Sequence, residues 1–286
     1  MTERLHGLGA VADRYDAFLF DMWGCIHDGL RVFPGVPDLM ARLRAAGKRT
    51  VVLSNAPRLV PILKRQMPGF GIAAEAFDGI VTSGEAAWQA LASGTHGLGK
   101  RFFHVGMEAN ISDPAAIGHR EVADLAEADF VLATGAAGDG TLDMEALAPV
   151  MRDARAGGLP MVCANPDLEV LRGETRLLCA GTLAARYEEI GGTVHYHGKP
   201  HPGVYALALE IAGVADRRRV LGVGDAMRTD VAGARAAGLD QAFIPGGIHG
   251  EALGSPMGSL PTDEALAALA REFGFAPTYA LAELRW

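Results

Sequence analysis

The chain has 286 residues, 49% of them hydrophobic, and a formal net charge of −8, so it can bury a large core in one or two domains, while its acidic balance argues against nucleic acid as a ligand without excluding a small anionic substrate, which the local field decides. No apolar run approaches the roughly 18 residues of a membrane span, and Met1 to Arg14 lack the apolar core of a signal peptide. Three widely spaced cysteines, Cys25, Cys163 and Cys179, argue for a reducing cytoplasm and against a disulfide framework.

In chain order, residues 1–14 read as a leader, a short helix packed on the core. Residues 17–21 read as a buried strand of a parallel sheet, a short continuous apolar run that ends in Asp21. Open α/β sheets bind ligands at the carboxyl ends of their strands. A buried carboxylate without a partner is expensive, so a cation or a set of donors is expected to face Asp21. Residues 22–35 form a Gly-rich loop with a small flap, and Val36 to Ala46 have helical spacing, closed by Gly47. A second strand, 50–54, ends in Ser54. Pro57 suits the first turn of a helix running to about Met67. Phe77 to Val81 read as a third strand, and Thr82-Ser83-Gly84-Glu85 as a capped helix start.

From about residue 86 to 196 the pattern restarts, with short strands at Phe102–Val105, Phe130–Leu132 and Met161–Cys163 between helical stretches. This second α/β unit lies between the Ser54 and Lys199 segments, so the chain is expected to hold a discontinuous core, 1–85 plus 197–286, with 86–196 inserted. The core resumes with a helix from Pro202 to Ala212, a strand ending at Asp225, a helix from about Thr229 to Ala237 and a strand at Gln241–Ile244. A last helix covers Thr262–Phe273.

Two motifs carry little. Gly94 to Lys100 spells G-x-x-x-x-G-K, but Arg101 follows where a P-loop has Ser or Thr, and the order is helix, loop, strand. His195, His197 and His201 flank Lys199 with no carboxylate or thiol nearby in sequence to complete a transition-metal site.

Four ordered stretches carry a resemblance. Phe20-Asp21 with Gly24, Leu53-Ser54-Asn55 with Arg58, Gly198-Lys199-Pro200, and Gly224-Asp225 with Thr229-Asp230 resemble the four motifs of the haloacid dehalogenase superfamily, class IIA. Thr82-Ser83-Gly84-Glu85-Ala86, Asn165-Pro166-Asp167 and the helix begun by Gly181 resemble class IIA segments outside those motifs. The likeness covers about residues 15–250. It implies an α/β fold, a doubly wound parallel-sheet core with an inserted α/β cap, and Mg²⁺-dependent hydrolysis of a small phosphorylated metabolite through an aspartyl phosphate.

The resemblance also assigns roles. Asp21 is the nucleophile, and Asp21, Asp225 and the backbone carbonyl of Trp23 hold Mg²⁺. Asp230 orients a ligand or pairs with Lys199, and Lys199 neutralises Asp21 and the transferring phosphoryl group. Ser54 and the Asn55 backbone N–H bind phosphate oxygens, with Arg58 in the same motif. Asn165 and Asp167 line the cap side and read the substrate. The site departs from the family at Trp23, where an Asp acting as general acid and base is expected. An indole N–H only donates, so His27, in the same loop and with an ordinary pKa near neutrality, is the expected substitute and Asp28 the second choice. Two rivals stay open. A dehalogenase-type hydrolysis is opposed by Asp225 and Asp230. A metabolite-binding or regulatory protein is supported by Trp23 and opposed by the retention of Asp21, Lys199, Asp225 and Asp230. No membrane or nucleic-acid partner is expected, and a homodimer is left open.

Overall fold

The protein is described by a computed structural model over residues 2–107, 110–111, 114–135 and 142–286. In chain order the strands are β1 (Glu3–Leu5), β2 (Ala17–Phe20), β3 (Arg49–Ser54), β4 (Gly79–Thr82), β5 (Arg101–Val105), β6 (Arg120–Glu121), β7 (Phe130–Ala133), β8 (Met161–Cys163), β9 (Glu169–Arg172), β10 (Thr175–Leu178), β11 (Val194–Tyr196), β12 (Val220–Gly224), β13 (Asp240–Phe243) and β14 (Tyr279–Leu281). The helices are α1 (Val36–Ala45), α2 (Val60–Gln66), α3 (Ser83–Ser93), α4 (Met144–Ala156), α5 (Ala180–Glu189), α6 (Pro202–Ala212), α7 (Ala232–Ala236) and α8 (Asp263–Phe273).

A seven-stranded sheet runs β1-β14-β13-β12-β2-β3-β4, every pair parallel. A five-stranded parallel sheet runs β11-β8-β7-β5-β6. Strands β9 and β10 form a separate antiparallel hairpin. Strand β2 shows why its apolar run is continuous. Phe18 and Phe20 join Leu39 and Leu43 of α1 in one core, and Ala17 and Leu19 join Val204, Tyr205 and Ala208 of α6 in another. Successive side chains point to opposite faces of a strand, and a parallel sheet has both faces covered. The fold is thus the expected α/β architecture with a doubly wound parallel sheet.

Register positions the site. Phe20 pairs with Val223 on one side and Val52 on the other. The residues just beyond these pairs, Asp21, Asp225 and Ser54, therefore leave the sheet at one edge, and the Asp21 N–H donates to Val223 O at 2.7 Å.

Several boundaries differ from the sequence expectations. The described part of the expected leader, residues 2–14, is not a helix: it holds edge strand β1, paired with β14, followed by two 3-10 turns, Leu8–Ala10 and Ala12–Arg14. A three-residue strand is too short to show a period. Helix α2 starts at Val60 rather than Pro57, because the Ala56–Leu59 loop is pinned to the start of α3. Gly84 N–H donates to Ala56 O at 3.1 Å and Thr82 Oγ1 to Arg58 O at 2.7 Å. The helix expected from Thr229 begins as a π turn, Met227–Val231, and continues as the short α7.

The expected junction after residue 85 falls inside α3. Thr82 caps this helix by accepting from Glu85 N–H at 3.0 Å. Its Ala86 packs on the core of the seven-stranded sheet, whereas Ala87 and Leu91 pack with Phe102 and Phe130 of the second.

Candidate active site

The carboxyl edge of the large sheet gathers four charged side chains in almost complete burial: Asp21, Lys199, Asp225 and Asp230. The Lys199 ammonium hydrogen-bonds Asp21 and lies 2.5 Å from Asp230 Oδ1. Carboxylate oxygens of Asp21, Asp225 and Asp230 lie within 4.8 Å of one another. Asp230 is engaged on both sides, since its Oδ2 accepts from Ala226 N–H at 3.0 Å. Asp225 Oδ2 accepts from Ile248 N–H at 2.7 Å.

Three buried carboxylates against one ammonium leave an excess of negative charge. Burial pushes the Asp21 carboxyl up; Lys199 opposes this and Asp230 adds to it. Burial also raises Asp225, reinforced by Asp21 and Asp230. Burial works against the Lys199 charge, but Asp21, Asp230 and Asp167 outweigh it and hold the lysine protonated. Such a cluster of hard oxygen donors, short of positive charge, fits a divalent cation held partly through water.

Glycines allow the close approach. Gly24 has φ +79°, and a Cβ there would lie 2.2 Å from Asp225 Oδ2, so the peptide that follows Trp23 abuts this carboxylate. Gly198 has φ +119°, and a Cβ there would lie 2.5 Å from Asn55 Oδ1.

The Asn55 side chain is engaged by Lys199 and Asp167 together. Its Oδ1 accepts from Lys199 N–H at 2.7 Å, and its Nδ2 donates to Lys199 O at 3.1 Å and to Asp167 Oδ1 at 2.9 Å. Buried Ser54 accepts from Ala56 N–H at 3.2 Å. Asn165 Oδ1 accepts from Asp167 N–H at 3.1 Å. Burial raises the Asp167 carboxyl, against Lys199 and Asn55. Arg58 donates through Nε to Asn110 Oδ1 at 3.1 Å, and burial lowers its pKa.

All these residues except Gly198 line one cavity of about 840 Å³ between the sheet edge and the β9–β10 hairpin. Three features of its wall escaped the sequence analysis. Arg228, whose guanidinium bonds Pro166 O, was legible as a charge between Asp225 and Asp230. The hairpin had a signal too, two short apolar runs around Gly173-Glu174. His249, which accepts from Met227 N–H at 3.2 Å through Nε2, had none.

His27 corrects an expectation. It is only 1% exposed and is absent from the cavity lining. Its ring stacks on Phe70 with centroids 4.3 Å apart, and Nδ1 accepts from Gly29 N–H at 2.8 Å. Burial pushes its pKa down to about 4, so it is neutral near pH 7 and ill placed to protonate a leaving group. Asp28 does line the cavity, but its Oδ1 accepts from Leu30 N–H at 2.9 Å and Arg31 N–H at 2.8 Å. These bonds outweigh burial and hold its pKa low, which makes it an acceptor rather than an acid. Trp23 has its indole N–H committed to Leu171 O at 2.5 Å.

Fold and site together define an α/β protein with a second, inserted α/β unit and a buried acidic cluster at the carboxyl edge of its larger sheet. Comparison with known proteins agrees. A model of haloacid dehalogenase-like hydrolases matches residues 18–119, and one described as HAD-hydrolase-like matches residues 196–278. A crystal structure of a haloacid dehalogenase-like hydrolase from Brucella suis 1330 superposes with a TM-score of 0.80 at 34% identity, over 99% of this chain and 100% of that one. The chain belongs to the haloacid dehalogenase-like hydrolase family.

The D-glycerol 3-phosphate phosphatase of Mycobacterium tuberculosis is 31% identical over 242 residues, and the match takes in 84% of this chain but 65% of that protein's length. A structure of a glycerol phosphate phosphatase from the same organism, in complex with magnesium, matches with a TM-score of 0.64 at 27% identity, over 83% of this chain and 70% of that one.

Proposed function

We propose that the protein is a Mg²⁺-dependent phosphoric monoester hydrolase acting on a small phosphorylated metabolite, with Asp21 as nucleophile. The observation that carries this reading is the buried cluster in which Lys199 bridges Asp21 and Asp230 while Asp225 converges on the same point. In this reading Asp21 and Asp225 hold the cation together with the Trp23 carbonyl, whose peptide lies against Asp225. The bound cation supplies charge neutralisation on the phosphoryl oxygens.

The chain's own groups do the rest. An Asp21 carboxylate oxygen attacks phosphorus, the bond from phosphorus to the ester oxygen breaks, and the organic group departs as an alkoxide or aryloxide that takes a proton. Lys199 balances the charge on Asp21 and on the phosphoryl group as the aspartyl phosphate forms. Ser54 Oγ–H and the Asn55 N–H donate to phosphoryl oxygens. Water then attacks phosphorus, releasing phosphate and restoring Asp21.

Arg58 and Arg228 line the cavity, and neither has a carboxylate partner among the described ion pairs, which supports an anionic ligand. Asn165 and Asp167 line the same cavity, Asp167 accepting from Asn55 Nδ2, and in this reading they contact the organic group. The test is phosphate release from a panel of phosphate monoesters with and without Mg²⁺. Release that needs Mg²⁺ and disappears in Asp21→Asn is expected; release unchanged in that variant would point to another nucleophile. Binding of phosphorylated metabolites without turnover would favour the binding-protein reading.

A further inference from the structure

The residue that displaces the general acid has a position of its own. Trp23 Nε1–H donates to Leu171 O on β9 at 2.5 Å. Two residues on, Gly173 N–H donates to Asp28 O at 2.9 Å. Gly173 has φ +59° at the first central position of the two-residue turn joining Arg172 to Thr175, a type II′ arrangement that suits glycine. On the other side of the indole, a Cβ at Gly29 would lie 2.5 Å from Cζ2, so the loop after β2 holds the ring in place.

These contacts matter because the hairpin belongs to neither large sheet. A two-stranded hairpin is at best marginal on its own. Its described ion pair to the large-sheet unit, Arg176 with Glu251, has an exposed carboxylate and stabilises little. Its base is fixed beside α5, where Leu168 O accepts from Cys179 N–H at 2.8 Å and Thr182 Oγ1 at 2.6 Å, and its tip is placed by the bonds to the loop that begins at Asp21. The hairpin brings Val170, Leu171, Leu177 and Leu178 into the cavity wall, with Phe33 and Phe70 also lining it.

We propose that Trp23 is a positioning residue that determines specificity: by holding β9 at Leu171 it sets an apolar wall over the reacting centre, suiting the site to phosphate monoesters with a bulky apolar organic group. This rests on the phosphatase reading above. An indole retained for packing alone does not require a carbonyl at its N–H, and Phe would serve as well.

The test compares wild type with Trp23→Phe on 4-nitrophenyl phosphate and acetyl phosphate, whose leaving groups both depart without a donated proton. The backbone carbonyl assigned to the cation stays in place in Trp23→Phe, and losing one partly buried hydrogen bond predicts a rise of about fivefold in KM for the aryl ester relative to acetyl phosphate. KM for acetyl phosphate, too small to reach the wall, is expected to stay put. Equal rises on both substrates, or none, would overturn the inference. A second variant replaces Glu169–Leu178 with a short Gly-Ser linker and leaves Trp23 in place; it is expected to show the aryl-only rise, and its absence counts against the proposal. Hydrogen exchange at the Gly173 amide gives a readout free of catalysis. Faster exchange in Trp23→Phe is expected, and unchanged exchange overturns the inference even if both substrates are hydrolysed. Failure of the wild type to hydrolyse either substrate would instead overturn the phosphatase reading and the substrate class with it.

Discussion

Lys199 Nζ lies 2.5 Å from Asp230 Oδ1 and also hydrogen-bonds Asp21, so one ammonium holds two buried carboxylates. Removing it strands their charge. Breaking a buried pair from one side typically costs about 3–5 kcal/mol. Lys199→Met is therefore expected to lower the stability of the metal-free protein by about that amount and to abolish turnover. Urea denaturation is the measurement, and a loss well under 1 kcal/mol would mean that the cluster relaxes by taking up a proton.

The metal assignment predicts a ligand-dependent gain in stability. Mg²⁺ at about 100 times its Kd stabilises a one-site protein by about 2.7 kcal/mol. A corresponding rise in Tm is expected for the wild type. In Asp225→Ala that rise, and the calorimetric binding heat, are expected to vanish. An Asp225→Ala protein that binds Mg²⁺ normally would remove Asp225 from the site.

Asp21→Asn keeps the shape of the side chain and removes the attacking carboxylate. Its circular dichroism is expected to match the wild type while phosphate release falls to background. Beryllium fluoride, which mimics a phosphoryl group on a carboxylate, is expected to bind the wild type and not the variant. Equal binding to both would argue that water attacks the substrate directly.

Leaving-group dependence follows from the missing acid. Positioned proton transfer contributes typically about 10²–10⁴-fold. With Trp23 committed to Leu171, His27 buried and Asp28 ionised, kcat is expected to favour aryl over alkyl phosphates. Trp23→Asp is expected to raise kcat on alkyl esters. His27→Ala is expected to alter both ester classes by one common factor, and a selective loss on alkyl esters would restore His27 as the acid.

Stability is expected to be acid-sensitive. Burial pushes His27, His104 and His197 each down to about 4, below the ordinary value of 6.5 that the unfolded chain restores. Between those two values the unfolded chain binds protons that the folded protein refuses. The contribution is therefore complete above pH 6.5 and is lost as pH falls toward 4. For one such histidine the loss at pH 5 is about 2 kcal/mol. Denaturant titrations at pH 7.5 and pH 5 should show the drop, and His27→Phe should reduce it by roughly one histidine's share. The same difference in both proteins would mean that His27 stays neutral in both states.

Sequence alone determined the strands that end at Asp21, Ser54 and Asp225, because a parallel strand buried on both faces has to be a continuous apolar run and its polar terminus has to lie at the sheet edge. The order of the four motifs was equally legible, since it is linear. What Trp23, His27 and Asn55 do was decided only by tertiary structure. His27 has an ordinary pKa near neutrality as a residue type, but its ring is stacked beneath Phe70 and out of the cavity. The Asn55 side chain, 144 positions from Lys199 in sequence, turned out to hold that lysine's backbone. The β9–β10 hairpin had a readable turn, yet nothing local states that its tip meets the loop after Asp21. That meeting joins residues about 150 positions apart, and contacts at such separation depend on how two sheets are packed rather than on any period or spacing along the chain.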